Sequence, residues 1–374
     1  MIVYLDYNAS APLSQEAANS MMAAMHCVGN PSSLHGAGRR ARHIIESAKD
    51  AIAKYAGYER ENVILTSGAT ESINTVMAME WQHILTPQTE HIAVLDSASI
   101  KGRRVDIPVD TYGLVRFDEL ESLFDQYAGE RTLLSFGAAN NETGVVSDVD
   151  RIVKSAKIRK IRVHIDAAQA FGRIHRNWKA VGADFISISA HKLGGSSGIG
   201  ALLIADHVDN FTPLICGGGQ QRFRRSGTEN VIGAAGFGAA VKALTSNMWD
   251  KAEQLRAMME CDLKNTIPSI QFFGDKVARL PNTSCFALPE RPSDLTVMQL
   301  DIWGYAVSRG SACSSGKVSE SHVLRAMGVS KEYAQTAIRV SLCQDTTEKD
   351  VQGLVEALHR IFLHTCHQTS IKDI

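Results

Sequence analysis

The chain has 374 residues, 44% of them apolar and 21% charged, with a formal net charge of -1. Its length exceeds one ordinary domain and leaves room for a sizeable core, while the near-neutral balance removes any blanket attraction to nucleic acid or acidic lipid. The implied substrate is small. Seven cysteines, at positions 27, 216, 261, 285, 313, 343 and 366, are scattered without CxxC spacing, which argues for reduced thiols and against a disulfide framework or zinc site. The N-terminal MIVYLDYNASAP lacks a basic region followed by a long apolar run, and the apolar stretch 231–241 is too short to cross a bilayer, so the expected location is the cytoplasm.

A short strand at 2–5 leads into the turn-rich DYNASAP, and Ser14 is placed to cap a helix running to about residue 25. GNPSSLH forms an irregular loop before an amphipathic helix over 37–55. The strand at 63–66 runs into Ser67-Gly68-Ala69-Thr70-Glu71-Ser72, which opens another helix. A small-residue turn from strand to helix bares N–H groups at the positive end of the helix dipole and can hold a phosphate, although capping by Ser67 or Thr70 explains the same residues. Further strands are expected at 91–95, 105–109 and 132–136, with a helix over 117–127. His91, at the head of the first of these, has no role by itself. The strand at 132–136 leads into Asn140-Asn141-Glu142-Thr143-Gly144, polar and small at a carboxyl end, and Asp148 caps the helix beyond it.

Two β-branched runs follow, 163–165 stopping at Asp166 and 185–189 stopping at His191-Lys192. Strands alternating with helical sequence from about 63 to 204 describe a doubly wound, mainly parallel α/β sheet with helices on both faces, whose ligands lie beyond the carboxyl ends of the strands. Asp166 and Lys192 then share one rim. Such a pair suits pyridoxal 5'-phosphate, whose aldehyde needs a lysine amine and whose pyridinium nitrogen needs an anionic partner. Taken alone, the pair is also explained by Asp166 capping the next helix and Lys192 pointing into water.

Beyond residue 204 the glycine-rich CGGGQQ and the basic RFRRSGTEN match neither a dinucleotide fingerprint nor a P-loop. The arginines there are either a solvated surface or an anion or subunit contact. Helices at 231–244 and 248–263, a strand at 284–288 and a terminal amphipathic helix at 348–362 indicate a smaller α+β domain. The expected division is a large domain at 14–245 and a small one made of 1–13 and 246–374. Cys285 sits among apolar neighbours as a packing residue, whereas Cys313 in SRGSACSSGK is one thiol among small residues with Arg309 and Lys317 nearby. That setting favours a reactive thiolate, though loop cysteines without a task also occur. Arg339, inserted in the strand-like IRVSL, either pairs structurally or clamps a carboxylate.

In this order, LDYNASAP, GNPSSLH, TSGATES, TEH, NNETG, HIDAAQ, SAHK, RSGT, GSACSSG and IRVSL make the chain resemble the cysteine desulfurases, class V aminotransferases of the fold-type I pyridoxal-phosphate enzymes. The resemblance spans nearly the whole chain. GSACSSG followed by SHVLRAMG is similar to the long-loop group associated with iron–sulfur assembly. It implies that Lys192 carries the cofactor, that Asp166 meets the ring nitrogen and Gln169 the ring hydroxyl, and that His91 lies against the ring face. The Ala69 backbone, Thr70, Ser189 and His191 would hold the phosphate, and Thr228 would reach the phosphate of the other subunit of a homodimer. Asn141, beside the cofactor, and Arg339 would receive the carboxylate of L-cysteine, and Cys313 would take its sulfur as a persulfide for an acceptor protein such as an iron–sulfur scaffold or thiolation enzyme. His91 would move protons. Cys216 and Cys343 depart from the family pattern, and the connection from His91 to Gly113 is shorter than in many relatives. The same scaffold also serves selenocysteine lyases and aminotransferases, and a catalytically silent sulfur-transfer scaffold is the alternative of another class.

Overall fold

The computed structural model of the chain describes residues 2–288, 291–310 and 320–372. β1 (Val3–Tyr4) precedes α1 (Gln15–Met25), which the Ser14 hydroxyl caps, and α2 (Gly36–Ala56), which His35 caps. Strands and helices then alternate: β2 (Val63–Thr66), α3 (Ala69–Met77), β3 (His83–Pro87), α4 (Ile92–Ser99), β4 (Arg104–Ile107), α5 (Phe117–Gln126), β5 (Thr132–Gly137) and α6 (Val149–Ile158). β6 (Arg162–Asp166), β7 (Phe185–Ser189) and β8 (Gly200–Ile204) complete the main sheet, ordered β2-β8-β7-β6-β5-β3-β4. β8 runs against its neighbours β2 and β7, and the other pairings are parallel.

The sheet is buried on both faces because its strands carry apolar residues at odd and even positions alike. Leu134 and Phe136 of β5 enter one core together with Ile45 and Ile52 of α2, while Leu133 enters the opposite core with Ile73 and Val76 of α3. Two expectations need correction. Residues 91–95 are not a strand: the strand is β3, and His91 instead starts α4, its Nδ1 accepting from the Ala93 N–H at 3.1 Å. A short apolar run such as IAVL has no period long enough to separate helix from strand. No α-helix joins β6 to β7 either; the connection is a turn with one 3-10 segment at Lys179–Val181, packed by the fully buried Trp178 and punctuated by Gly172 and Gly182 at positive φ.

Beyond residue 242 the chain builds most of a second core. α7 (Val231–Lys242) packs on α1 and α2 and adds to the core on one face of the main sheet. It is followed by α8 (Asp250–Thr266), β9 (Gln271–Phe272), β10 (Thr283–Ala287), α9 (Ser293–Ile302), β11 (Tyr305–Ala306), β12 (Ser308–Arg309), α10 (His322–Ala326), α11 (Lys331–Thr336), β13 (Ala337–Ser341) and α12 (Glu348–Lys372). β12-β13-β10-β9 form an antiparallel sheet, and β11 pairs with β1 in parallel. Leu5, Tyr7 and Ala11 from the start of the chain belong to this core, beside Leu263, Phe286 and Leu358. Among the described residues no helix is long and apolar enough to cross a membrane.

Close packing at the head of β8 holds the β2–α3 turn in place. A Cβ on Gly200 would stand 2.6 Å from the Ile188 carbonyl oxygen and 2.7 Å from Gly68 Cα. Gly200→Ala is therefore expected to destabilise the protein by about 1–3 kcal/mol, the range for overpacking a rigid backbone contact. The measurement is the urea midpoint at unchanged m-value.

Candidate active site

The carboxyl ends of β2, β5, β6 and β7 open into one cavity of ≈ 430 Å³. The β2–α3 turn supplies Ala69 and Thr70 to its wall. Gly68 is the N-cap of α3 and no side chain caps the helix, while the Ser67 N–H is taken by Glu71 Oε2 at 2.8 Å. The capping reading of Ser67 and Thr70 is thus set aside, and the first turn of α3 lines the cavity at the positive end of the helix dipole. Ser189, at the end of β7, and His191 line the same cavity. His191 Nδ1 lies 3.3 Å from Ser10 Oγ, and burial, helped by Lys192 and Arg173, pulls its pKa down to about 4. It is a neutral imidazole.

Asp166 ends β6, where the Ala168 N–H binds its Oδ1 at 2.9 Å. Burial raises its pKa against the opposing pull of that bond, His91 and Lys192. A cation facing it would restore the anion. Lys192 Nζ donates to the Ala9 carbonyl at 2.8 Å and also to that of Asn8. Gln169, buried, donates from Nε2 to the same Asn8 carbonyl at 3.1 Å. Burial lowers the pKa of His91, and because its Nδ1 accepts from Ala93, the neutral ring carries its proton on Nε2.

On the side formed by the second core, Arg339 of β13 is 1% exposed, donating from Nη1 to the Asn141 carbonyl at 3.0 Å and from Nη2 to Asp6 Oδ1 at 2.6 Å. The structural pairing of this arginine is thus met, and Arg339 also lines the cavity with Asn141. Asp6 is fixed in turn by Ser308, whose hydroxyl donates to Oδ2 at 2.7 Å. Thr228 is exposed and does not line the cavity of its own chain, and Cys313 lies outside the described residues.

Two buried carboxyls to which the sequence assigns no role neighbour His91 and Asn141 in the chain, and Glu90 lines the cavity. Glu90 is enclosed beside Gly137, and burial pushes its carboxyl up to about 8. Glu142 accepts from the Ser321 hydroxyl at 2.5 Å, and burial pushes it up to about 7. Their only sequence signal was position beside His91 and Asn141. Arg222 and Arg225 pair with Glu61 and Glu71 at 3.2 and 3.0 Å, so the basic run is tied into its own chain.

An open helix N-terminus flanked by a hydroxyl and an imidazole, an enclosed carboxylate and a lysine amine on backbone carbonyls form a donor set that fits a phosphorylated aromatic aldehyde with a basic ring nitrogen. Among the described residues no group of His, Cys, Asp and Glu is placed to hold a metal ion. The aminotransferase class-V family pattern matches residues 3–354. The chain is 36% identical to a cysteine desulfurase, IscS, of Dictyoglomus turgidum, over 96% of this chain and 94% of that one. A NifS-like protein of Rickettsia africae superposes with a TM-score of 0.89 at 34% identity, covering 97% of this chain and 99% of its own. A structure of SspA in complex with cysteine gives 0.80 at 28% identity, covering 92% and 99%.

The raised carboxyl of Glu90 has a consequence for stability. Its folded value of about 8 lies above the ordinary 4.5, so the folded state binds that proton more tightly than the unfolded state. The contribution is complete below 4.5 and is lost as pH rises through about 8. Glu90→Gln is expected to flatten this part of the pH–stability profile, as read by urea midpoints at the two ends of the window.

Proposed function

Because the chain belongs to the cysteine desulfurases of the aminotransferase class-V family, we propose that it binds pyridoxal 5'-phosphate at Lys192 and takes the sulfur of L-cysteine onto Cys313, leaving L-alanine. The observation that carries this reading is the meeting of Lys192, Asp166 and Arg339 on one cavity, an amine, an enclosed carboxylate and a buried guanidinium brought from two cores. The relative solved with cysteine supports the substrate. The large unit at 14–245 supplies most of the cofactor wall, and 1–13 with 246–374 supplies Arg339 and Cys313.

When bound, the cofactor supplies an electron sink for the bond changes at the substrate Cα and Cβ. The first turn of α3, with Thr70, Ser189 and His191, holds its phosphate; Asp166 answers the ring nitrogen; and Gln169 donates to the ring hydroxyl oxygen. Arg339 and Asn141 seat the substrate carboxylate. The Lys192 amine would be placed to take the Cα proton of the bound substrate. The Cys313 thiolate attacks the substrate sulfur, so an S–S bond forms as the Cβ–S bond breaks. That bonding pair stays with the substrate, which gains protons to become alanine. His91 offers the proton on Nε2, since Nδ1 is engaged by Ala93.

The exposure of Thr228 away from its own cavity supports a homodimer in which it serves the partner's phosphate. The persulfide then passes to a thiol of an acceptor protein in the cytoplasm, such as an iron–sulfur scaffold or thiolation enzyme.

Incubation with L-cysteine should yield alanine and a protein-bound persulfide by intact mass. Cys313→Ser is expected to keep the visible band of the lysine-bound cofactor and lose sulfide release; release at the wild-type rate removes Cys313 from the reaction. Borohydride reduction and peptide mapping should place the cofactor on Lys192, and a label elsewhere overturns the assignment. Arg339→Gln should raise KM for L-cysteine by about ten- to a hundredfold, the equivalent of a charge-assisted hydrogen bond. Steady-state kinetics on protein whose unfolding midpoint has been checked decides it.

A further inference from the structure

Arg173 lies one turn beyond Gln169 in the tight run after β6, where the Phe171 and Ile174 N–H groups bond back to the Ala167 and Ala170 carbonyls at 2.8 Å each. It is 6% exposed. Its Nη1 donates to the Gln169 backbone carbonyl at 2.9 Å and to Gln169 Oε1, and its Nη2 donates to the Lys192 carbonyl at 3.4 Å. The guanidinium carbon stands 5.2 Å from the Tyr7 ring centroid and 5.8 Å from that of Trp249.

Two features distinguish it from the other buried arginines. Arg339 pairs with Asp6 and Arg256 with Glu253 and Glu260, but among the described residues Arg173 forms no ion pair. Among the described residues its hydrogen bonds go to carbonyl oxygens and its charge lies near two aromatic faces, and an enclosed charge without a counter-ion is costly. Burial draws its pKa down only to about 10, so it stays a cation at neutral pH. Second, a guanidinium has donors and no acceptor, so the Gln169 atom facing it must be the amide oxygen. The NH2 end is thereby turned to the Asn8 carbonyl and the cavity, where it can only donate.

We propose that Arg173 is a positioning residue that fixes Gln169 as a donor and supplies the buried positive charge that keeps the cofactor's phenolic oxygen anionic. This rests on the pyridoxal-phosphate reading above. Among the described residues no carboxylate pairs with this cation, and the oxygen that Gln169 addresses would supply the anion. The field of Arg173 already reaches the cavity wall, where it contributes to the lowered pKa of His191.

The test is an absorbance titration of the cofactor-loaded protein, following the pH midpoint at which the lysine-linked nitrogen loses its proton. A neighbouring cation favours the deprotonated form and lowers that midpoint. Arg173→Met is expected to raise it by about one pH unit, a modest change for removing one enclosed charge. Arg173→Lys, which keeps the charge, should restore most of the shift, a rescue that a purely structural role does not require. Gln169→Glu neutralises Arg173 in place and should raise the midpoint as well, so the question stays decidable if Arg173→Met does not fold. Midpoints unmoved in Gln169→Glu and in any folded Arg173→Met overturn the inference while leaving the cofactor assignment intact. Failure of the wild-type protein to form the visible band with added pyridoxal phosphate overturns that assignment first, and this inference with it.

Discussion

The geometry of the site depends on how residues 6–11 are held. Leu5, Tyr7 and Ala11 are buried in the second core, and the Tyr7 N–H bonds to the Ser341 carbonyl at 3.1 Å. The same stretch is tied to the main sheet by the Ala11 N–H on the His191 carbonyl at 2.7 Å. Between these attachments the Asn8 and Ala9 carbonyls accept from Lys192, and Asn8 also accepts from Gln169. The lysine is therefore aimed by backbone fixed from both sides. Two backbone carbonyls thus fix the direction of the ammonium while Asp166 acts on it electrostatically.

Charge is distributed around the cavity in a consistent way. Glu90 and Glu142 are pushed by burial toward the neutral acid, Glu142 against the pull of Arg339. The Glu142 carboxyl takes the Ser321 hydroxyl, and the Glu90 backbone carbonyl lies 2.9 Å from His322 Nε2. Residues 320–322 are thus docked onto the two loops that carry Asn141 and His91. Asp166 differs because it faces the cavity with His91 and Lys192 near enough to draw it back toward the anion. A protonated ring nitrogen facing it would complete that pull and hold the carboxylate as an anion.

Much of this was legible in the sequence. Asp166, Gln169, Ser189, His191 and Lys192 follow strand ends that apolar periodicity marks out, and Asn141 follows β5 in the same manner. What escaped has physical causes. The run after His91 was read as a strand because four apolar residues without polar spacing look alike in either conformation. The β6–β7 connection has the residue types of a helix but is bent at Gly172 and Gly182. Glu90, Asp6 and Arg173 matter through partners far away in sequence, and only Arg173's link to Gln169 has helical spacing. A buried carboxyl and a surface carboxyl are written with the same letter.

An open start to α3 leaves the helix without the usual side-chain cap, so its position must be secured otherwise. Arg225 does this from outside, bonding Glu71 at 3.0 and 3.3 Å, while Glu71 holds the Ser67 N–H. The adjoining Gln221 closes the free edge of β2, its amide matching the Leu65 N–H and carbonyl at 2.7 Å each as another strand would. To make that reach, Gln221, Arg222 and Phe223 take left-handed φ values of 48°, 59° and 63°, a strain that the paired amide and the Arg225 clamp offset. The loop at 216–230 is thus built around the turn it supports: it anchors the strand and the first helical turn while leaving the N–H groups at the cavity mouth for an anion.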